Sequence, residues 1–131
     1  MLKTKSILLP KEGSDGMRIS VMSRHTLNDG ITPHPQINSS SYDLWLPNLA
    51  PPAKLLGDYY KRGLPFEQFK EQYLSYINQH EIKIEVQKLA KKSIDSVITL
   101  LCIEESPEYC HRKILAEECK KYQLDLILDI R

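Results

Sequence analysis

The chain has 131 residues, which is long enough for one domain with one hydrophobic core. Its 18 lysines and arginines nearly balance 17 aspartates and glutamates, so net charge provides no long-range attraction to nucleic acid or to an anionic membrane. No apolar run approaches the roughly 20 residues that span a bilayer, and no signal-peptide core follows Met1. These features predict a single cytoplasmic domain over residues 1–131 with no membrane partner.

The first third of the chain contains two candidate strands and a long irregular segment. Lys5–Leu9 is predicted to pair at a sheet edge, and Arg18–Met22 alternates apolar and polar residues as a half-buried strand does. The polar residues that follow this second strand are Ser23, Arg24, His25 and Thr26. They lie where α/β sheets commonly place binding residues. Thr26–Tyr42 shows no periodicity, and a loop of this length is usually functional or disordered.

The middle of the chain is predicted to be mainly helical. Tyr42–Pro52 is apolar but interrupted by prolines, and its Trp45 is expected to pack on the core or to line a pocket. Lys54–Gly63 indicates a short helix or a pair of turns. Leu64–Gln79 carries an aromatic stripe at helical spacing, and Glu81–Lys92 continues as a second helix with a solvated, lysine-rich side.

The last third of the chain has the pattern of a βαβ unit. Val97–Ile103 is β-branched and apolar on both faces, which is typical of a central strand in a parallel sheet. Ser106 is expected to cap a helix that continues to about Tyr122. Leu124–Ile130 is expected to be a final strand that runs parallel to Val97–Ile103. The predicted fold is therefore a three-layer α/β domain with a small, mostly parallel sheet flanked by helices.

At least two of the three cysteines, Cys102, Cys110 and Cys119, are expected to be plain reduced thiols. Their odd number and the lack of a secretory signal argue against a disulfide framework. Their spacing matches no common zinc pattern, so no metal is predicted, and no particular cofactor is indicated.

Cys110, His111 and Arg112 form the most reactive run in the chain. The positive end of a helix dipole and a neighbouring cation both favour the thiolate form of a cysteine. With Ser106 as the cap, however, Cys110 would lie one turn inside the helix, and helical neighbours point about 100° apart. Cys110 is therefore a nucleophile, a buried inert thiol, or a residue with a metal or redox role. His111 is a site residue or makes a structural hydrogen bond, and Arg112 is an anion clamp or part of an internal ion pair.

The run LLCIEESPEYCHRKILAE, from Leu100 to Glu117, resembles the closing motif of the DUF488 family, small bacterial and archaeal proteins named as a domain of unknown function. The positions that match this motif are Cys102, Glu104, Pro107, Cys110, His111, Arg112 and Leu115. Further matches to the shorter branch of the family are the Asp-Gly-x-Arg of residues 15–18, the segment 42–52 and the Phe-x-x-x-Tyr of residues 69–73. After the first strand the short branch usually carries Asp-Arg-x-Trp-Pro-Arg-Gly, whereas this chain has Met22–Thr26 with an arginine and no Trp-Pro. The resemblance implies a compact α/β domain and no established reaction.

The predicted site joins the carboxyl ends of two strands and the start of the following helix. Catalytic roles are assigned to Cys110, His25 and Glu104, and substrate binding to Arg24, Arg112 and His111. The predicted function is binding of, or action on, a small anionic molecule that bears a phosphate or a carboxylate. The alternative is a non-catalytic module that binds nucleic acid or a protein through the basic residues Arg24, Lys61, Arg62 and Lys88–Lys92. The sequence decides neither between these two classes nor the oligomeric state.

Overall fold

In the computed structural model, which describes residues 1–131, five parallel strands form one sheet in the order β3-β2-β4-β1-β5. The strands are β1 (Leu2–Ser6), β2 (Met17–Ser20), β3 (Leu44–Trp45), β4 (Ile98–Cys102) and β5 (Leu128–Ile130). The α-helices are α1 (Ala53–Lys61), α2 (Phe66–Ile77), α3 (His80–Asp95) and α4 (His111–Tyr122). The predicted α/β class with a small parallel sheet is confirmed. No helix combines the length and the apolarity needed to cross a membrane.

The central strand is the one that the sequence predicted. All residues of β4 are buried, and β4 pairs with β2 on one side and with β1 on the other. The prediction for the first strand was wrong in its residue range and in its position within the sheet. β1 begins at Leu2, and it lies between β4 and β5 rather than at an edge. Residues 7–9 pass into a turn instead, where Leu8 and Leu9 are exposed.

One face of the sheet is apolar and carries all four helices. Alternate strand residues contribute to this core, among them Leu2, Ile19, Ile98 and Leu100. Helix residues that pack in the same core are Leu55, Phe69, Tyr73, Val86, Leu89, Ile114 and Leu115. Crossover connections between parallel strands are right-handed. The connections that run toward β5 therefore lie on this face of the sheet, and those that run toward β3 lie on the other face.

The other face of the sheet, here called the polar face, buries charged and polar side chains beside a small apolar cluster that includes Leu101, and irregular chain covers it. A short 3-10 turn, Gly13–Asp15, brings the buried Asp15 carboxylate between two buried cations. The carboxylate oxygens lie 2.6 Å from Arg18 Nη1 and 3.2 Å from Lys5 Nζ, and Thr99 Oγ1 donates to the Asp15 carbonyl at 2.7 Å. This third layer of the fold is thus held by ion pairs and hydrogen bonds rather than by a helix.

Gly16 explains the Asp-Gly-x-Arg motif in steric terms. Its φ is 63°, and a Cβ at this position would lie 2.2 Å from the Val97 carbonyl oxygen. Only glycine allows the chain to pass so close to the start of β4 in this conformation. The motif therefore places Asp15 and Arg18 on the polar face, through a turn that requires glycine at position 16.

The strand order opens a crevice between β2 and β4 at the carboxyl edge. After β2 the chain turns toward β3, and after β4 it turns the opposite way, toward β5. Ser20 pairs with Leu101, so the two strands end nearly level. Open α/β sheets bind their ligands at such switch points.

Candidate functional site

A cleft of about 400 Å³ lies at this switch point. Its walls come from three segments: the residues between Met22 and Asn28, one face of α1, and the end of β4 with the first residue of α4. The volume is in the range of small-molecule sites, which runs from about 300 to 1,000 Å³. The sheet edge and the helix start thus meet in one concave surface.

Helix α1 forms a wall that the sequence interpretation missed. The lining residues of this helix are Ala53, Leu56, Gly57, Tyr60 and Lys61. They follow the spacing of one helical face, a pattern that can be detected in the sequence. Only Leu55 of this helix is buried in the core, so the opposite side was available for a binding surface.

Two cations and one carboxylate line the cleft. Arg24 and Lys61 are exposed, and neither forms an ion pair or a side-chain hydrogen bond within the chain. Glu104 is half-buried and accepts a hydrogen bond from Tyr60 Oη at 2.6 Å. The predicted substrate-binding Arg24 and the predicted catalytic Glu104 therefore do share one cavity.

The start of α4 differs from the prediction. Ser106 caps a separate 3-10 turn, Pro107–Tyr109, by accepting from the Glu108 amide at 3.3 Å. Cys110 is extended, with φ −124° and ψ 143°, and is itself the N-cap of α4. The expectation that Cys110 lies one turn inside the helix was wrong, because an extended residue separates the two turns. Cys110 lies instead at the positive end of the α4 dipole.

Cys102, Cys110 and His111 form a compact buried cluster. One side-chain N or S atom from each lies within 4.8 Å of the others. His111 Nε2 lies 2.7 Å from the Val21 carbonyl oxygen, which can only accept, so Nε2 carries the proton. The other ring nitrogen, Nδ1, lies 3.8 Å from Cys102 Sγ. Cys102 lines the cleft, as His111 does.

The two thiols of this cluster differ in acidity. Burial raises the pKa of Cys110, but hydrogen bonds with Cys102 and His111 and the charges of His111 and Arg112 outweigh it and hold the pKa well below its ordinary value. The pKa of Cys102 is raised well above its ordinary value, first by the hydrogen bond with Cys110 and then by burial. The arrangement therefore favours one thiolate, on Cys110, over two.

Arg112 is fully buried and lies outside the cleft. Its Nη1 donates to the Glu104 carbonyl at 2.8 Å, and its Nη2 donates to the Arg131 carbonyl at 3.0 Å. Its Nε has no partner. Neither expected role describes this geometry, since the guanidinium contacts neither the cleft nor Glu108. It ties the loop after β4 to the end of β5.

His25 also points away from the cleft. Its Nε2 lies 2.7 Å from Ser20 Oγ, and its ring lies 4.4 Å from the ring of Trp45 and 4.9 Å from that of Tyr42. Burial lowers the pKa of His25. Of the six predicted site residues, Arg24, Glu104 and His111 thus line the cleft. Cys110 lies behind the wall, beside the lining residues Cys102 and His111, and His25 and Arg112 lie elsewhere.

The comparison with protein families agrees with the motif that ends at this cluster. A family model described as the Active DUF488-N3 subclade matches residues 2–123. The chain belongs to the DUF488 family. No curated protein and no solved structure matches it. In this DUF488 protein, the three residues of the Cys-His-Arg run have different positions. His111 lines the cleft, Cys110 lies beside His111 behind the wall, and Arg112 bonds to the loop after β4.

Proposed function

We propose that this DUF488 protein binds a small anionic molecule, bearing a phosphate or a carboxylate, in the cleft between β2 and β4. The observation that carries the proposal is the pairing state of Arg24. Of the five arginines in the sequence, it alone forms no hydrogen bond or ion pair within the chain. An unpaired guanidinium in a concave surface is suited to bidentate recognition of phosphate or carboxylate.

Other groups in the cleft support an anionic ligand of this size. Lys61 supplies a second unpaired cation from the facing wall. The backbone amides of Ser23 and Arg24 donate no hydrogen bond within the chain, so they are available to an anion at the end of β2. Met22, Leu27 and Leu56 add apolar surface to the same cavity. The ligand that fits these groups combines an anionic group with an apolar or ring portion, as a phosphorylated or nucleotide-like molecule does.

The competing function, a module that uses a broad basic surface for nucleic acid or a protein, has less support. Arg62 lies 2.6 Å from Asp58, and Lys88 lies 3.5 Å from Glu85, so part of that surface is already neutralised. Of the cations of that surface that form no ion pair, Arg24 and Lys61 lie in the cleft, whereas Lys91 and Lys92 are exposed on α3 and outside it. A salt slope that tracks several neutralised phosphates would favour the basic-surface proposal instead.

The test is a thermal-shift screen followed by calorimetric titration. The panel comprises inorganic phosphate, nucleoside monophosphates, sugar phosphates and small carboxylates. We expect at least one compound to stabilise the protein. Arg24→Ala and Lys61→Ala should each weaken its binding about 10- to 100-fold, which corresponds to the roughly 1.5–3 kcal/mol of a hydrogen bond to a charged group.

The matched control is Lys91→Ala. Lys91 is an exposed, unpaired lysine on α3, and it lies outside the cleft. Its removal should leave the affinity unchanged. Equal affinity of the wild type and the Arg24→Ala variant for every compound that binds would contradict the proposal.

A further inference from the structure

We propose that Cys102, Cys110 and His111 form a site for a zinc ion or a similar divalent transition metal ion, with a fourth coordination position open to the cleft. This inference does not depend on the anionic ligand, because it concerns the inner cluster alone. It rests on the identity of three donor groups, on their spacing and on the hydrogen bond that orients the imidazole.

The donor set suits a borderline-soft metal. Two thiols and one imidazole are ligands that zinc and its neighbours prefer over hard oxygen donors. All three side chains are buried, so few competing water molecules reach the cluster from the core side. Zinc bound by two cysteines and one histidine, with the fourth position free, is an established arrangement in zinc enzymes of other folds.

The spacing is close to that of a tetrahedral centre. Bonds of about 2.3 Å to sulfur and about 2.0 Å to nitrogen place the donor atoms of a tetrahedron roughly 3.5–3.8 Å apart. Cys102 Sγ and His111 Nδ1 lie 3.8 Å apart, and all three donor atoms lie within 4.8 Å of one another. A small inward movement of the Cys110 thiol is therefore enough to complete three bonds.

The orientation of His111 is the second, independent observation. Metal-binding histidines usually donate their other ring N–H to a carbonyl or a carboxylate, which fixes the tautomer and aims the free lone pair at the metal. His111 does this through its bond from Nε2 to the Val21 carbonyl. Val21, the residue that follows β2, thus holds the ring with Nδ1 toward the thiols.

Access to the metal follows from which ligands line the cleft. Cys102 and His111 contribute to the cavity wall, whereas Cys110 lies behind them and does not line the cavity. A metal bound among them would present its remaining position to the cavity. A site closed by four protein ligands is typical of structural zinc, whereas three ligands and an open position are typical of catalytic zinc.

The test uses the full chain, purified with a phosphine reductant so that both thiols stay reduced. Zinc affinity is measured in competition with a chromophoric chelator, and cobalt(II) is used in parallel as an optical probe. We expect one equivalent of zinc. The cobalt form should show thiolate-to-cobalt charge transfer in the near ultraviolet and the intense visible bands of tetrahedral cobalt.

The variants are Cys110→Ser and Cys102→Ser, with Cys119→Ser as the control. Cys119 is buried on α4 and belongs to the main core instead of the cluster. Serine is a preferred N-cap residue, so Cys110→Ser should keep α4 folded, which circular dichroism checks. Each cluster variant should bind zinc at least about 100-fold more weakly, because even the partners of metal ligands are worth 10- to 100-fold. The charge-transfer band should weaken accordingly, whereas Cys119→Ser should match the wild type.

Two results would overturn the proposal. One is a wild type that binds zinc no more tightly than Cys110→Ser and Cys102→Ser. The other is a cobalt spectrum that lacks thiolate charge transfer in the wild type, which would place any bound metal elsewhere.

Discussion

Two buried polar clusters lie near the sheet, and their hydrogen bonding sets them apart. On the polar face, the Asp15 carboxylate accepts from Lys5, Arg18 and the Glu12 amide, so its bonding capacity is filled. At the carboxyl edge, His111 uses one ring nitrogen for Val21 and leaves the other facing two thiols. The first cluster is saturated and supports the fold. In the second cluster, a ring nitrogen and two thiols beside a cavity remain available to bind a ligand, as a binding site requires.

The largest expected effect of a single change is on the saturated cluster. Asp15→Ala leaves Lys5 and Arg18 buried without their counter-charge, and the loss of one partner of a buried pair costs about 3–5 kcal/mol. We expect the free energy of unfolding, measured by urea denaturation, to fall by that amount. The control is Asp129→Ala, which breaks a partly exposed pair with Arg131 and should cost at most about 1 kcal/mol. Similar losses in the two variants would remove the distinction between the clusters.

The next effect separates Arg112 from Arg24. Arg112→Ala removes the donors to the Glu104 and Arg131 carbonyls, and we expect unfolding free energy to fall by about 1.5–3 kcal/mol. The affinity for a ligand of the cleft should stay within about threefold of the wild type, which is less than 1 kcal/mol. Arg24→Ala should show the reverse pattern, with weaker binding and unchanged stability. A loss of binding in Arg112→Ala at a temperature where it is folded would extend the site to this arginine.

A smaller effect tests the turn that delivers Asp15. Gly16→Ala places a Cβ 2.2 Å from the Val97 carbonyl oxygen at a φ of 63°. Gly63→Ala has a similar φ, 73°, with nothing within 4 Å, so it measures the backbone strain alone. We expect Gly16→Ala to cost about 1–3 kcal/mol more than Gly63→Ala, the range for overpacking. Equal costs in thermal or urea unfolding would mean that the chain near Val97 gives way freely.

The smallest effect is a dependence of stability on acid. Burial raises the pKa of Asp15, but hydrogen bonds from the Glu12 amide, Arg18 and Lys5 outweigh it, and the net shift is below the ordinary value of 3.8. The contribution of Asp15 to stability is therefore complete above that value and is lost as pH falls through the lower, folded-state pKa. Urea titrations between neutral pH and about pH 3 should show a steeper loss for the wild type than for Asp15→Asn. Parallel curves would show that the pKa of Asp15 is the same in the folded and unfolded states.

The sequence predicted the elements of this fold better than their arrangement. The apolar run at Val97–Ile103 and the aromatic stripe of α2 are local patterns, and both elements are found where they were expected. The position of β1 between β4 and β5 is set by pairing with residues almost a hundred positions away, which no local pattern contains. For this reason the strand predicted at an edge is found inside the sheet.

The site was predictable in part for the same reason. Polar residues that follow strands identified Arg24 and Glu104, because carboxyl ends of parallel strands meet at one edge. The orientations of His25 and Arg112 depend on partners in distant segments, Trp45 and Arg131. Cys110 became a helix cap through a single extended backbone conformation. Side-chain direction at a loop is a tertiary property, so a motif identifies the residues without assigning what each one contacts.

Trp45 gives the molecule an optical reporter for the cleft. It is the only tryptophan in the chain, and its indole N–H donates to the carbonyl of Met22, a residue of the cavity wall, at 2.7 Å. The indole also stacks beside His25, whose ring hydrogen-bonds to Ser20 in β2. Any movement of the segment after β2 therefore changes the surroundings of the single fluorophore. Steady-state emission and its quenching can follow occupancy of the cleft in the unlabelled protein.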